Sequence, residues 1–140
     1  MKQRLPPLPD VVNHLTYSSD GKRLAASLGG HNGIRVFDAT NDYRLLPSDT
    51  QYGQRSTGAH FDRTGRLVTV SYDGFVRLYE ADRYATPTYQ WKGKRPYSAV
   101  FSPDASRIAV GDNDSSEVVV LSGRDLRQLF KPNTTGISKE

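Results

Sequence analysis

Apolar and polar residues alternate in short runs along this chain, and the same run recurs three times. Each recurrence ends in an apolar pair two residues apart: Leu15 and Tyr17, Ala59 and Phe61, and Ala99 and Phe101. Alternation with a period of two is typical of β-strands that bury one face. Turn residues such as Asp-Gly and Pro-Asp pairs interrupt the chain about every 8–12 residues, which favours many short strands over helices.

The aromatic residues Tyr17, Phe61 and Phe101 align three units with periods of 44 and 40 residues. Each unit has the pattern of four strands, and a period of about 40–45 residues is typical of four-stranded propeller blades. We therefore predict an all-β fold of three four-stranded antiparallel β-propeller blades, forming a partial propeller or half of a ring. The fourth strands are expected at residues 43–46, 89–91 and 126–130.

The second unit carries the most complete motif, LVTVSYDGFVRLYE at residues 67–80, and the third unit supplies FSPD at 101–104. These segments resemble the WD repeat, and the resemblance covers about residues 11–130. It implies propeller blades and a role in binding and scaffolding other proteins. Because fold does not determine function, that role is an expectation by analogy.

Two features of the WD repeat are missing. No Gly-His dipeptide precedes the aligned aromatic residues, and the tryptophan of the Trp-Asp pair is replaced by Phe37, Tyr79 and Leu121. The resemblance therefore implies a divergent propeller without the family's tetrad of Asp, His, Ser or Thr, and Trp. Asp73 is still expected to tighten its turn by accepting bonds from nearby backbone N–H groups.

We divide the chain into a Pro-rich N-terminal linker (1–10), three blades (11–51, 52–94 and 95–132) and a C-terminal tail (133–140). Three blades leave two apolar sheet faces uncovered, whereas propellers usually have about four to eight blades. We favour a piece of a longer protein that supplies further blades. The alternatives are a homodimer, in which a second copy completes a six-bladed ring, and an open stack.

Composition adds limits on partners and compartment. There are 19 basic and 15 acidic residues, giving a net charge of +4, but the basic residues are scattered and cluster most tightly at 92–95. This pattern disfavours nucleic-acid binding, which stays open as an alternative. With no cysteine, no secretion signal and no apolar run near the roughly 20 residues of a membrane helix, we expect a cytoplasmic protein that does not enter membranes.

Catalytic patterns are absent from the sequence. His14, His31 and His60 lack a metal-binding spacing, and the glycine-rich loop at 29–33 is not followed by the Lys-Ser/Thr of a phosphate-binding loop. We therefore expect no catalytic residue, no cofactor, no metal and no enzymatic activity. An enzyme or small-ligand propeller with a metal in its channel remains the alternative.

The candidate binding residues lie where loops between second and third strands meet the links between blades, on one rim of a propeller. Aromatic residues beside arginine or lysine are typical of binding hot spots, and we also expect Tyr52, Tyr84 and Trp91 near the surface. The expected function is a non-catalytic protein–protein interaction scaffold or sensor module whose partner is a protein or peptide. Its candidate rim comprises Gly30, His31, Asn32, Arg55, Tyr72, Asp73, Arg95, Tyr97, Asn113 and Asp114.

Overall fold

The computed structural model describes Leu5 and residues 7–132, so the predicted C-terminal tail and part of the predicted linker lie outside the described residues. Within the described residues the chain forms twelve β-strands and no helix. The strands are β1 (Val12–Tyr17), β2 (Arg23–Leu28), β3 (Ile34–Asp38), β4 (Arg44–Leu46), β5 (Ser56–Phe61), β6 (Leu67–Ser71), β7 (Phe75–Tyr79), β8 (Tyr89–Lys92), β9 (Pro96–Phe101), β10 (Arg107–Asp112), β11 (Val118–Ser122) and β12 (Gln128–Phe130).

The strands form three separate four-stranded antiparallel sheets, each in sequence order. We call them blade 1 (β1–β4), blade 2 (β5–β8) and blade 3 (β9–β12). The predicted fold class is confirmed. None of the described elements is a helix that could cross a membrane.

Two fourth strands are shorter than the sequence predicts. Tyr43 and Leu126 were expected inside these strands, but both adopt positive φ angles, 56° and 64°, and therefore lie in turns. Leu126 is buried and packs into the apolar core between blades 2 and 3. Leu126 fitted the apolar pattern of a strand, but its apolar side chain serves this core contact from a turn.

The aligned aromatic residues occupy equivalent places in the three sheets. Phe61 lies opposite Leu67, which lies opposite Tyr79, and this row faces blade 1. The corresponding row of blade 3 begins at Phe101 and faces blade 2. We call the face that carries this row the leading face of each blade.

Blade 2 is covered on both sides because the leading face of each later blade packs against the preceding blade. One core joins blades 1 and 2, and a second joins blades 2 and 3. Side chains of this kind each contribute about 1.5–3 kcal/mol when fully buried, so these two cores hold the three sheets together. Their members include, respectively, Ile34, Val36, Leu67 and Tyr79, and Val68, Val70, Ile108 and Leu121.

The leading face of blade 1 has no preceding blade, and the N-terminal segment covers its centre. Leu5 and Leu8 pack against a cluster that includes Leu28 and Phe37, both fully buried. The part of this face on β1 stays open, and Tyr17 is 53% exposed. The Pro-rich segment thus packs on the sheet, a contact that the sequence pattern did not indicate.

A buried hydrogen-bond network crosses the interface between blades 1 and 2. The Tyr52 hydroxyl lies 2.7 Å from Thr69 Oγ1 and 2.8 Å from the Tyr79 hydroxyl, and Tyr79 donates to Asp49 Oδ2 at 2.7 Å. Burial raises the pKa of both tyrosines well above the ordinary value, so the hydroxyls stay protonated donors.

We expect Tyr79→Phe to lower the free energy of unfolding by about 1–3 kcal/mol, because it leaves a buried acceptor on Asp49 without its donor. Urea denaturation measures this change. Tyr17→Phe is the matched control, since Tyr17 bonds the Tyr43 hydroxyl at an exposed position and its loss should cost less than about 0.5 kcal/mol. Equal losses in the two variants would contradict a structural role for the network.

Candidate functional site

Six of the ten predicted rim residues come together in one surface cluster at the junction of blades 2 and 3. Five of them reach it from the β6–β7 loop, the β10–β11 loop and the links that precede β5 and β9, whereas Tyr97 lies within β9. We call this group the Tyr72 cluster; its members are Arg55, Tyr72, Arg95, Tyr97, Asn113 and Asp114.

The ring of Tyr72 is the centre of this cluster. The guanidinium groups of Arg55 and Arg95 lie 4.9 and 5.1 Å from its centroid, and the Tyr97 ring centroid lies 6.4 Å away. The Tyr72 hydroxyl donates to Asn113 Oδ1 at 3.1 Å. Cation–π contacts of this kind stabilise by about 0.5–1 kcal/mol each at exposed sites, so the ring and both cations are held in a defined arrangement.

The two arginines of the cluster differ in their charge partners. Arg95 lies 3.6 Å from the carboxylate of Asp114, a half-exposed ion pair. Arg55 is exposed and forms no ion pair with any residue that the structure describes. Its guanidinium therefore keeps hydrogen-bond donors available to a bound acceptor.

A β-bulge interrupts the first strand of every blade at the same place. The extra residue, which has no direct partner in the neighbouring strand, is Asn13 in blade 1, Thr57 in blade 2 and Tyr97 in blade 3. All three lie four positions before the aligned aromatic residues. Bulges re-aim side chains and are common beside functional sites.

The bulge residues line a shared cleft of about 190 Å³ together with Arg55 and Tyr72. We call it the central cleft. Asn13 donates to the Ser56 carbonyl at 3.0 Å, and Thr57 donates to the Tyr97 carbonyl at 2.7 Å, so each side chain also ties its blade to the next. Sequence analysis missed Asn13 and Thr57, although their common position in the repeat was visible.

The Asp73 side chain is largely buried and holds the β6–β7 loop in place. It forms an ion pair with Arg77 at 2.8 Å and accepts backbone N–H bonds from Gly53 and Phe75, as well as a bond from Ser71. Burial opposes ionisation of this carboxyl, but these bonds outweigh it and lower the pKa of Asp73 to about 2. The expectation that Asp73 tightens its turn agrees with these contacts.

Gly30, His31 and Asn32 lie in the β2–β3 loop of blade 1, apart from the Tyr72 cluster. The Asn32 side chain donates to Asp10 Oδ2 at 3.3 Å and to the Gly29 carbonyl at 3.0 Å. Among the described residues, no hydrogen bond, ion pair or ring contact joins this loop to the Tyr72 cluster. The predicted rim is therefore two regions, of which the Tyr72 cluster is the larger.

Two tyrosines that were expected near the surface are buried. Tyr52 is 3% exposed and lies in the network between blades 1 and 2, and Tyr84 is 2% exposed and donates to the Gly65 carbonyl. Both lie in segments outside the strands, where the alternation of apolar and polar residues gives no information on burial. Their role is to fill the interface, and the expectation of surface exposure was wrong.

His60 takes part in the packing of blades 2 and 3. Burial, with a smaller effect of the nearby His14, lowers the pKa of His60, whose Nδ1 accepts the Phe101 N–H at 3.0 Å. That bond ties the first strands of blades 2 and 3 together. Over Leu5 and residues 7–132, no group of three or more His, Asp or Glu side chains is placed to hold a metal ion.

No protein-family model matches this chain, and no curated protein matches it significantly.

We expect Asp73 to make the stability of the fold depend on pH. Because its folded pKa of about 2 lies below the unfolded value of about 3.8, its stabilisation is present above pH 4 and is lost as the pH falls from 4 to 2. Asp73→Asn should therefore lower the free energy of unfolding, measured by urea denaturation, by on the order of 1 kcal/mol at pH 6 and by much less at pH 2.5.

The matched control is Asp82→Asn, which removes the exposed partner of an ion pair with Arg23. Surface pairs contribute about 0–1 kcal/mol, so this variant should change the midpoint little at either pH. A loss in Asp73→Asn that is the same at pH 6 and pH 2.5 would contradict the role of its charge.

Proposed function

We propose that this protein is a non-catalytic module that binds a protein or peptide through the Tyr72 cluster and the central cleft. The observation that carries this proposal is the placement of Tyr72 between Arg55 and Arg95 at a cleft lined by residues of all three blades. Tyrosine and arginine are the residues enriched at binding hot spots. The resemblance to WD repeats, which function as interaction scaffolds, supports the same proposal.

The support beneath the cluster fits a binding surface. Arg77 and Asp73 fix the β6–β7 loop, and the bulge residues Asn13 and Thr57 bond to the next blade. Rotamers that are held in place before binding lose less entropy when a partner arrives. The cluster therefore presents its aromatic and cationic groups in a fixed arrangement.

Further blades or a second copy of the chain are part of the proposal. Val100 and Phe130 are 48% and 42% exposed on the face of blade 3 that points away from blade 2. Such a face is the counterpart of the faces that blades 1 and 2 bury against their neighbours. The proposed setting is a larger cytoplasmic protein or ring that acts as a scaffold or sensor.

The test is selection from a displayed random peptide library, followed by calorimetry on the enriched peptides. We expect Tyr72→Ala and Arg55→Ala each to weaken binding about 10-fold or more, as is typical of hot-spot truncations. Arg63→Ala is the matched control for Arg55→Ala, because Arg63 is exposed in the turn at the opposite end of blade 2.

Circular dichroism should show the same fold in all three variants. Enriched peptides whose affinity is unchanged by both Tyr72→Ala and Arg55→Ala would refute binding at this rim.

A further inference from the structure

A groove of about 320 Å³ opens between blades 2 and 3, beside the Tyr72 cluster. Its walls come from β8, from the link that follows β8, and from blade 3. We call it the interblade groove. It is lined by Trp91, Lys92, Gly93, Lys94, Pro96, Val110, Asp112, Glu117, Val119, Gln128 and Lys131.

The floor of the groove is apolar. Val110 and Val119 are buried members of the core between blades 2 and 3, and Trp91 packs against the same core. Pro96 is also buried. An apolar floor with a few polar groups at the edge is the usual character of a ligand pocket, and this volume lies at the small end of such pockets.

The same place between blades 1 and 2 is filled by an aromatic ring. Tyr52 bonds Thr69 there, and the Arg77 guanidinium lies 3.9 Å from its ring centroid. By strand register, Thr69 and Arg77 correspond to Val110 and Val119 of blade 3.

The position nine residues before the aligned aromatic residue holds Tyr52, in the link before blade 2, and Lys92, the last residue of β8. Between blades 2 and 3 that position supplies no ring, and the two residues that correspond to Thr69 and Arg77 are valines. Trp91 packs against the core between these blades and forms part of the groove wall. The groove therefore lies where Tyr52 lies at the interface between blades 1 and 2. Its floor, formed by Val110 and Val119, is more apolar than Thr69 and Arg77 beneath Tyr52.

The edge of the groove is cationic. Lys92 and Lys94 have no ion-pair partner within the described part of the chain, and Lys131 faces Glu117 at 3.9 Å. The Asp112 carboxylate already accepts hydrogen bonds from the backbone N–H groups of Arg95 and Asp114. A ligand that brings negative charge beside an aromatic ring therefore complements both the edge and the floor.

We propose that the interblade groove binds one aromatic side chain of an acidic peptide segment, an inference that rests on the proposed function and names the class of peptide. The ring occupies the place that corresponds to Tyr52 and contacts Val110, Val119 and Trp91. The carboxylates beside it pair with Lys92 and Lys94. Arg95, which follows Lys94 directly, continues the cationic surface toward the Tyr72 cluster.

Single-stranded nucleic acid fits the groove less well. Stacking of bases uses an exposed aromatic face along a continuous cationic track, but Trp91 is packed against the core, and Asp112, Asp114 and Glu117 interrupt the lysines. The experiment below includes an oligonucleotide for this reason.

Trp91 is the only tryptophan of the chain, so its emission reports on the groove alone. The probe is a five-residue capped peptide with phenylalanine between glutamates, which does not emit where tryptophan does. We expect a saturable change in Trp91 emission. The peptide with central alanine should bind about 10-fold or more weakly, because the buried ring supplies most of the affinity.

Two pairs of variants separate the floor from the edge. Val119→Thr should weaken the phenylalanine peptide several-fold, whereas Val120→Thr, equally buried but facing the other side of β11, should not. Lys94→Glu should weaken it about 3- to 10-fold at low salt. Lys22→Glu makes the same charge change in the exposed β1–β2 turn at the opposite rim and should have little effect.

Three results would overturn the proposal. The first is no saturable emission change, or an equal change with the alanine peptide. The second is an equal loss in both members of either variant pair. The third is tighter binding of a thymidine oligonucleotide than of the phenylalanine peptide.

The result also separates the groove from the Tyr72 cluster. One outcome is that selected peptides depend on Tyr72 but leave Trp91 emission unchanged, and that the phenylalanine peptide gives no response. This outcome refutes binding in the groove and leaves the proposed function standing. A saturable Trp91 response that survives Tyr72→Ala, without any Tyr72-dependent peptide, supports the groove and refutes the rim.

Discussion

Every blade in this protein has apolar residues on both faces of its sheet, so each face needs a cover that the blade itself cannot supply. The packing of a leading face against the preceding blade is the contact on which the rest of the structure depends. It buries the rows that begin at Phe61 and Phe101 and sets neighbouring first strands side by side. The central cleft lies over those strands, and the interblade groove lies at one of the two interfaces.

The two interfaces between blades differ in the residues that lie at equivalent places. Between blades 1 and 2, Tyr52 fills the space and satisfies its hydroxyl on Thr69 and Tyr79. Between blades 2 and 3, Val110 and Val119 provide an apolar contact, and Trp91 packs against the same core. The first interface therefore has a buried hydrogen-bond network around Tyr52, whereas the second has a groove with a cationic edge at the corresponding place.

The fold could be predicted from the sequence because its signals are local. Alternation and turn residues defined the strands that end at Tyr17, Phe61 and Phe101, and the strand register confirms them. The burial of Tyr52 could not be predicted in the same way, since it depends on contacts between residues far apart in a link without periodicity. The bulges at Asn13 and Thr57 were missed because a bulge is defined by strand pairing, which the residue pattern does not show.

The cover formed by Leu5 and Leu8 makes the two ends of the stack unequal. A further sheet placed against blade 1 must displace these leucines from Leu28 and Phe37, whereas no described segment outside blade 3 belongs to an apolar cluster on the corresponding face of that blade. Adding a further sheet therefore costs less free energy at the blade 3 end of the stack than at the blade 1 end. Closure into a symmetric ring requires both ends at once and so carries the cost of opening the covered one.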